Sequence, residues 1–344
     1  MTFGFLECIF VLVHLINLLA MTDIYHICMT AHNEVLFRSP DDFRDITNLI
    51  AYTAYTDGVH ILVDALMSNH MHFVVYSDNP EKFALSLRLS ITKHFNIKHH
   101  RSGRLFDRKV FICALAGPRH ITMAVNYVLK NPVHHGQAYT PYSYANCTAN
   151  YLFTDDRGVK LPELTNDRTF IRRFFPKNAK IPSDFKLDRD GMISRSSFEE
   201  IKMVESFFLT PNYFIYNMNR KTSDDWVKEQ EQDGGNQPPV TLELIENGVK
   251  IDSLKKMLSN ENTVSTQRQQ NTDMAVCQLI DNKLLFRYNS SSIYTLDIEK
   301  RLQIGMELIQ SHFISTAQAA RCAVVPFAEL ENERKALQGL IRSR

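Results

Sequence analysis

Apolar and polar positions alternate along DIYHICMT (residues 23–30) with the period of two expected of a strand. A helix follows. SPDDFRDITNLIAYTAY (39–55) opens on Ser39 and Pro40, places acids in its first turn, and then shows helical apolar spacing. VHILVDALM (59–67) and HMHFVVYS (70–77) read as two strands joined by Ser68-Asn69, a tight hairpin. NPEKFALSLRLSITKHFNIKHH (79–100) begins with an Asn cap and a first-turn proline, and continues as an amphipathic helix with Lys and Arg on one side. GRLFDRKVFICALA (103–116) predicts a strand after a glycine turn, and GPRHITMAVNYVLKNP (117–132) a helix that Pro132 stops. The order is β-α-β-β-α-β-α. Without its last helix it predicts an α+β, ferredoxin-like domain, an antiparallel sheet with covering helices on one face.

The next stretch, QAYTPYSYANCTANYLF (137–153), is aromatic and irregular and is expected to wrap the domain edge. After residue 154 the pattern changes. FIRRFFPKNAKIPSDF (170–185) is basic and aromatic, and KTSDDWVKEQEQDGGNQPP (221–239) has the composition of a linker or a long exposed loop. From 294 the chain turns helical: DIEKRLQIGMELIQSH, STAQAARCAVV, then PFAELENERKALQGLIRSR. This end has a helix-turn-helix flavour, with Ser315 as a cap and a turn at Val325-Pro326. Its third helix opens on Glu329, Glu331 and Glu333, a poor face for phosphates, so a plain helical bundle is the expectation. The division is therefore 1–20, 21–153, 154–293 and 294–344, with a mainly helical C-terminal extension.

Length and charge refine this picture. A chain of 344 residues suggests two domains, or one with a large extension, and 44% hydrophobic against 22% charged residues suffices for a core. The formal net charge of +1 announces no nucleic-acid partner; the distribution of charge is more informative. Lys82 to Lys109 holds eight Lys/Arg against one acid, Asp107, which is either a phosphate-facing surface or a solvated helix face. Eleven of thirteen histidines lie between residues 21 and 150. The six cysteines form no CxxC pair, which argues against a zinc module or disulfide framework and fits a reducing cytoplasm. FGFLECIFVLVHLINLLA near the N-terminus is apolar, but no Lys or Arg precedes it, and Glu7, His14 and Asn17 interrupt it. It reads as an upstream extension from a misplaced start codon. A membrane anchor is the alternative, and no stable membrane association is expected.

His70 and His72 stand two apart in a strand and so project to one side. Such a pair can ligate a divalent ion, although a pair of half-exposed sheet histidines is the commoner meaning. Tyr127 and Asn131 stand four apart on one helix face. A tyrosine hydroxyl can attack a phosphate that a metal polarises, and the Asn131 amide can add an oxygen ligand. Taken alone, Tyr127 reads as a packed core aromatic.

Together these residues resemble the single-tyrosine HUH transposases (His-hydrophobic-His), and within them the REP-associated tyrosine transposases of bacterial insertion-sequence type. The matching stretches are YHICMT, LMSNHMHFVV, SGRLFDRKV and YVLKNPVHHG, in order over residues 24 to 150, less than half the chain. Neither NHMHFVV nor YVLKNPV is specific alone; their combination is. Two departures bear on DNA grip. TAHNEVLF lacks the Arg-Gly that often follows the first strand, and Asn146-Cys147 replaces a Ser-Ser pair.

The resemblance implies a metal-dependent enzyme with Mg²⁺ or Mn²⁺ on His70, His72 and Asn131. Tyr127 would be the nucleophile, forming a 5′-phosphotyrosine on single-stranded DNA beside a hairpin and freeing a 3′-OH whose counterpart later rejoins strands. Arg88, Lys93, Lys98, Arg101, Arg104, Arg108 and Lys109 would then face DNA phosphates. It also implies a bacterial, nucleoid-associated protein of the cytoplasm, and it allows a homodimer. Two rivals are a domesticated, non-catalytic hairpin-binding protein and an RNA-binding ferredoxin-like module. The second would want aromatic platforms where this strand carries histidines.

Overall fold

The computed structural model describes residues 23–31, 34–219 and 272–342, with side chains to residue 337. The apolar segment 1–20 and the polar stretch 221–239 lie outside the described residues. Among the described residues no helix is long and apolar enough to cross a membrane.

Four antiparallel strands form the sheet: β1 (Ile24–Thr30), β2 (His60–Met67), β3 (His70–Tyr76) and β4 (Phe111–Ala114), in the order β2-β3-β1-β4. The crossover β1 to β2 runs through α1 (Pro40–Asp57), and β3 to β4 through α2 (Pro80–Lys98). Each crossover skips one strand, so every neighbour pair is antiparallel. The helix starts follow from their caps. Ser39 N–H donates to Asp42 Oδ2 at 2.8 Å, and Asn79 Oδ1 accepts Lys82 N–H at 2.9 Å, each with a proline next in the chain.

Period-two alternation sends Ile27, Met29, Met71, Phe73 and Val75 to one face, under Ile46 and Ile50 of α1 and Phe83, Leu87 and Ile91 of α2. Ile24, Val63, Ala65, Met67 and Val74 face the other way. They meet Ile121, Val125 and Val128 of α3 (Gly117–His134), then Val204 and Phe208 of α5 (Ile201–Phe208) and Phe214 and Met218 of α6 (Pro211–Asn219). The sheet is therefore covered on both faces. Between α3 and α5 the chain from Tyr144 to Thr148 runs along the edge of β2, with Tyr144 Oη donating to Leu66 O at 2.9 Å. A short helix, α4 (Arg168–Ile171), and the loop after it pack on Ala51 of α1.

Two expectations about element ends are corrected. The strand before α3 is only four residues long; ahead of it Phe106 makes one isolated bridge to Ala31, through Asp107 N–H on Thr30 O, and the Asp107 and Arg108 carbonyls accept from the Arg88 guanidinium. And Pro132 does not stop α3, which runs to His134. Proline removes only its own donor, while His135 N–H still reaches Asn131 O at 3.1 Å. Asn131 is thus inside the helix.

The last part holds α7 (Asp273–Leu279), α8 (Ile298–Ser311), α9 (Thr316–Cys322) and α10 (Phe327–Arg342), which share one core with Val35. This unit grips the segment after β1. Arg38, fully buried, donates to Cys322 O and Asp281 Oδ1, and Tyr294 Oη donates to Glu34 Oε2 at 2.8 Å.

Candidate active site

His70 and His72 point to the α3 face of β3. Across the sheet His72 stands opposite Cys28 of β1 and Ala65 of β2, and His70 opposite Thr30 and Met67. Small neighbours at His72 leave room for α3 to close over the strand. Tyr127 of α3 lies edge-on to His72, with ring centroids 5.5 Å apart and planes at 89°. Asn131, one turn on, puts Oδ1 3.2 Å from His70 Nε2. His134, at the next turn, has its ring centroid 6.0 Å from that of Tyr127. The four residues singled out for chemistry, His70, His72, Tyr127 and Asn131, thus gather in one place.

The proton count at His70 is informative. Its Nδ1 is 2.9 Å from Asn69 Oδ1 and its Nε2 3.2 Å from Asn131 Oδ1. Burial, with His135 adding to it, lowers its pKa to about 3, so at pH 7 the ring carries one proton. One proton cannot serve two acceptors. With Nδ1–H given to Asn69, Nε2 faces an oxygen with nothing between them, while Asn131 Nδ2 is a buried donor without a partner. Three assignments resolve the conflict. Turning the Asn69 amide over makes its Nδ2 the donor to His70 Nδ1 and leaves Nε2–H to donate to Asn131 Oδ1. Turning the Asn131 amide over makes Nδ2 the donor to Nε2. Alternatively a cation takes both lone pairs, since adjacent octahedral ligands at ~2.1 Å lie ~3 Å apart.

His72 depends on its tautomer. Its Nδ1 is 3.1 Å from Nε2 of His26, and its Nε2 is 3.9 Å from Cys28 Sγ. Burial and then the neighbouring imidazoles keep it neutral. If Nδ1–H is donated to His26, Nε2 keeps a lone pair for a metal; in the other tautomer it does not. The His26 ring stacks on His72 with centroids 5.3 Å apart, and its own pKa falls to about 3 through burial and then His120. Burial pushes the Cys28 thiol up to about 12, so it stays protonated. Among the described residues no three His, Cys, Asp or Glu side chains form a metal-binding group. A set here is completed only by the Asn131 amide. His70, His72 and Asn131 offer two imidazole nitrogens and one amide oxygen, donors a divalent transition ion such as Mn²⁺ accepts more readily than Mg²⁺ does, and being neutral they would leave its charge for a substrate anion.

Sequence reasoning missed His26, Asn69, His134 and His135. The clustering of histidines before residue 150 was the available signal; which of them meet depends on the sheet register and on α3 continuing past Pro132. The basic residues divide into two groups. Lys93, Arg104, Arg108 and Lys109 are exposed. Lys98 pairs with Asp42 and Asp45 at 2.9 and 2.8 Å. Arg101 donates to Glu34 at 3.0 Å, and Arg88 to Asp107 O at 2.6 Å. These three are held in bonds within the fold.

No family model matches the chain, and no curated protein matches it. Solved structures do match, among them one described as a REP-associated tyrosine transposase bound to a REP hairpin. Its TM-score is 0.35 at 13% identity, over 41% of this chain and 83% of that one. A likeness of this size does not establish a shared activity.

Proposed function

We propose that the chain is a single-stranded-DNA tyrosine transposase, a strand transferase with a ferredoxin-like HUH catalytic domain. The observation that carries this reading is Tyr127 set edge-on over His72, one helical turn from an Asn131 whose Oδ1 stands 3.2 Å from His70 Nε2. The Tyr127 hydroxyl attacks one phosphate of single-stranded DNA. The bond from phosphorus to the 3′ oxygen breaks, the tyrosine is left on the 5′ phosphate, and the proton it gives up ends on the 3′-OH. Attack by another 3′-OH reverses the step and joins strands, so the phosphodiester energy is conserved and no nucleoside triphosphate is needed. Mg²⁺ or Mn²⁺ held by His70 Nε2, His72 Nε2 and Asn131 Oδ1 would neutralise charge on the phosphoryl oxygens. Asn69 and His26 set the two imidazoles. Lys93, Arg104, Arg108 and Lys109 provide the surface for a hairpin's phosphates.

The burial of the site favours a second reading, a hairpin-binding protein without chemistry. Tyr127 is 9% exposed, His70 2%, His72 1% and Asn131 0%. One experiment separates the two: labelled hairpin DNA with a single-stranded flank, Mn²⁺, and a denaturing gel. The transposase reading expects a covalent adduct that Tyr127→Phe abolishes with hairpin affinity kept, because only one hydroxyl is removed. An adduct that survives in the Phe variant assigns the nucleophile to another tyrosine. No adduct from the unaltered chain leaves the binding protein.

A further inference from the structure

Ser68 and Asn69 make the turn between β2 and β3, and His70 follows directly. Two backbone bonds fasten this turn: Ala31 N–H to Asn69 O and Leu36 N–H to Ser68 O, both 2.8 Å. A third fastening comes from the far end of the chain. Ser68 Oγ donates to Asp273 Oδ2 at 2.5 Å. Asp273 opens α7 and is 5% exposed. Arg321 of α9 grips it with two bonds, Nε to Oδ2 at 2.9 Å and Nη2 to Oδ1 at 2.8 Å, and Gln318 Nε2 adds a bond to Oδ1 at 3.0 Å. Burial alone would raise this carboxyl's pKa. Arg321 outweighs it and holds the value below the ordinary range, so the group is an ion at neutral pH.

An Asp–Arg pair with two parallel bonds is already matched in charge and geometry. Joining α7 to α9 needs no hydroxyl from the sheet. Yet one acceptor position of this carboxylate is used on the turn whose next side chain, Asn69, holds His70 Nδ1 at 2.9 Å.

We propose that the C-terminal helices position the candidate metal site through this contact: Asp273 holds Ser68, Ser68 fixes the turn, and Asn69 in that turn sets the His70 ring. The inference rests on the reading of His70 as a metal ligand. It makes Asp273 and Ser68 positioning residues for a site lying more than two hundred residues earlier than Asp273 in the chain. The physical basis is that partners of a ligating imidazole fix both its tautomer and its direction, and that their loss typically weakens metal binding by about 10–100-fold.

The test uses the full chain and Ser68→Ala, which leaves the Asp273–Arg321 pair intact, alongside Ser68→Thr and Asn69→Ala. Three quantities are read: Mn²⁺ affinity from the resonance of free Mn²⁺, the ring ¹⁵N shifts of His70 in metal-free protein, and the thermal midpoint. Ser68→Ala is expected to weaken Mn²⁺ binding about tenfold and to move the His70 ring towards mixed tautomers, with Ser68→Thr restoring both. Ser68→Ala combined with Asn69→Ala should be no weaker than Asn69→Ala alone. A purely structural role predicts a lowered thermal midpoint with Mn²⁺ affinity and His70 unmoved, and that result overturns the proposal. If the unaltered chain takes up no Mn²⁺, the metal reading fails. The metal-free ring shifts still decide the positioning, an unchanged His70 in Ser68→Ala refuting it.

Discussion

A metal-ligating histidine must be neutral, and at this site burial keeps His26, His70 and His72 so. The same burial makes stability depend on pH. An imidazole in the unfolded chain takes up its proton near pH 6.5, whereas in the folded chain His26 and His70 do so only near 3. Between those values the unfolded state binds more protons, so stability is lost as the pH falls. By pH 5 each contributes a loss of about 2 kcal/mol relative to neutral pH. Glu199 acts in the opposite sense. Burial, helped by Asp64 and only partly offset by Arg195, pushes its carboxyl up. Above the ordinary carboxylate range the folded state therefore holds the extra proton, and stability is lost as the pH rises. The expected outcome is a urea midpoint highest near pH 6.5, falling steeply towards 5 and gently towards 8. A flat midpoint between 8 and 5 would mean that the imidazoles are not held neutral by the fold.

Helix packing at the C-terminal end turns on Gly305. A Cβ there would sit 2.9 Å from Leu330 Cδ1 and 3.1 Å from Cδ2, and Leu330 is fully buried in the shared core of α8 and α10. Gly305→Ala sets a gain of about 1 kcal/mol in helix propensity against overpacking of similar size. Gly305→Val adds two more methyl-sized groups and should lose about 2–3 kcal/mol, read as a lower urea midpoint; an unchanged midpoint would show that Leu330 can retreat. Most elements of this kind were legible in the sequence. Ser39-Pro40 and Asn79-Pro80 marked helix starts because their side chains and rings satisfy the first turn. HMHFVV marked a strand because its alternation survives in the sheet. Pro132 misled because a proline late in a helix costs one bond, not the helix. Residues 103–110 misled because their apolar and basic spacing resembles a strand, while the Gly103, Arg104, Asp107 and Arg108 carbonyls are spent on the side chains of Asn96, Arg101 and Arg88. The pairing of His26 with His72 was invisible for another reason. It joins residues 46 positions apart through a diagonal across two strands.

At the scale of the molecule, charge pairing across distant segments decides which cations are left exposed for the proposed DNA contact. Residues beyond 154 hold none of the candidate catalytic side chains, yet they tie into the sheet. Arg195 reaches both Asp64 and Glu199 in the interior, and Tyr294 closes over Glu34 and Arg101. Arg101 therefore has its guanidinium committed: Glu34 at 2.9 Å, Asn96 Oδ1 at 2.9 Å and the Arg104 carbonyl at 2.8 Å. Moving it to a phosphate would break all of these. Arg104, Arg108 and Lys109 sit beside it in the sequence and stand in solvent. The two kinds of cation should respond differently to removal. Taking away one cation that neutralises a phosphate of single-stranded DNA should flatten the slope of log affinity against log salt by about 0.7. Replacing Arg104, Arg108 and Lys109 together with Ala should lower the slope by about 2 and leave the urea midpoint in place. Arg101→Ala should do the reverse, lowering the midpoint because Glu34 is left buried with the Tyr294 hydroxyl but no cation, with the salt slope unchanged. Binding isotherms at several salt concentrations, paired with urea unfolding of the same variants, measure both. A flattened slope with an undisturbed midpoint in Arg101→Ala would return Arg101 to the DNA surface and separate its pairing with Glu34 from the stability of the fold.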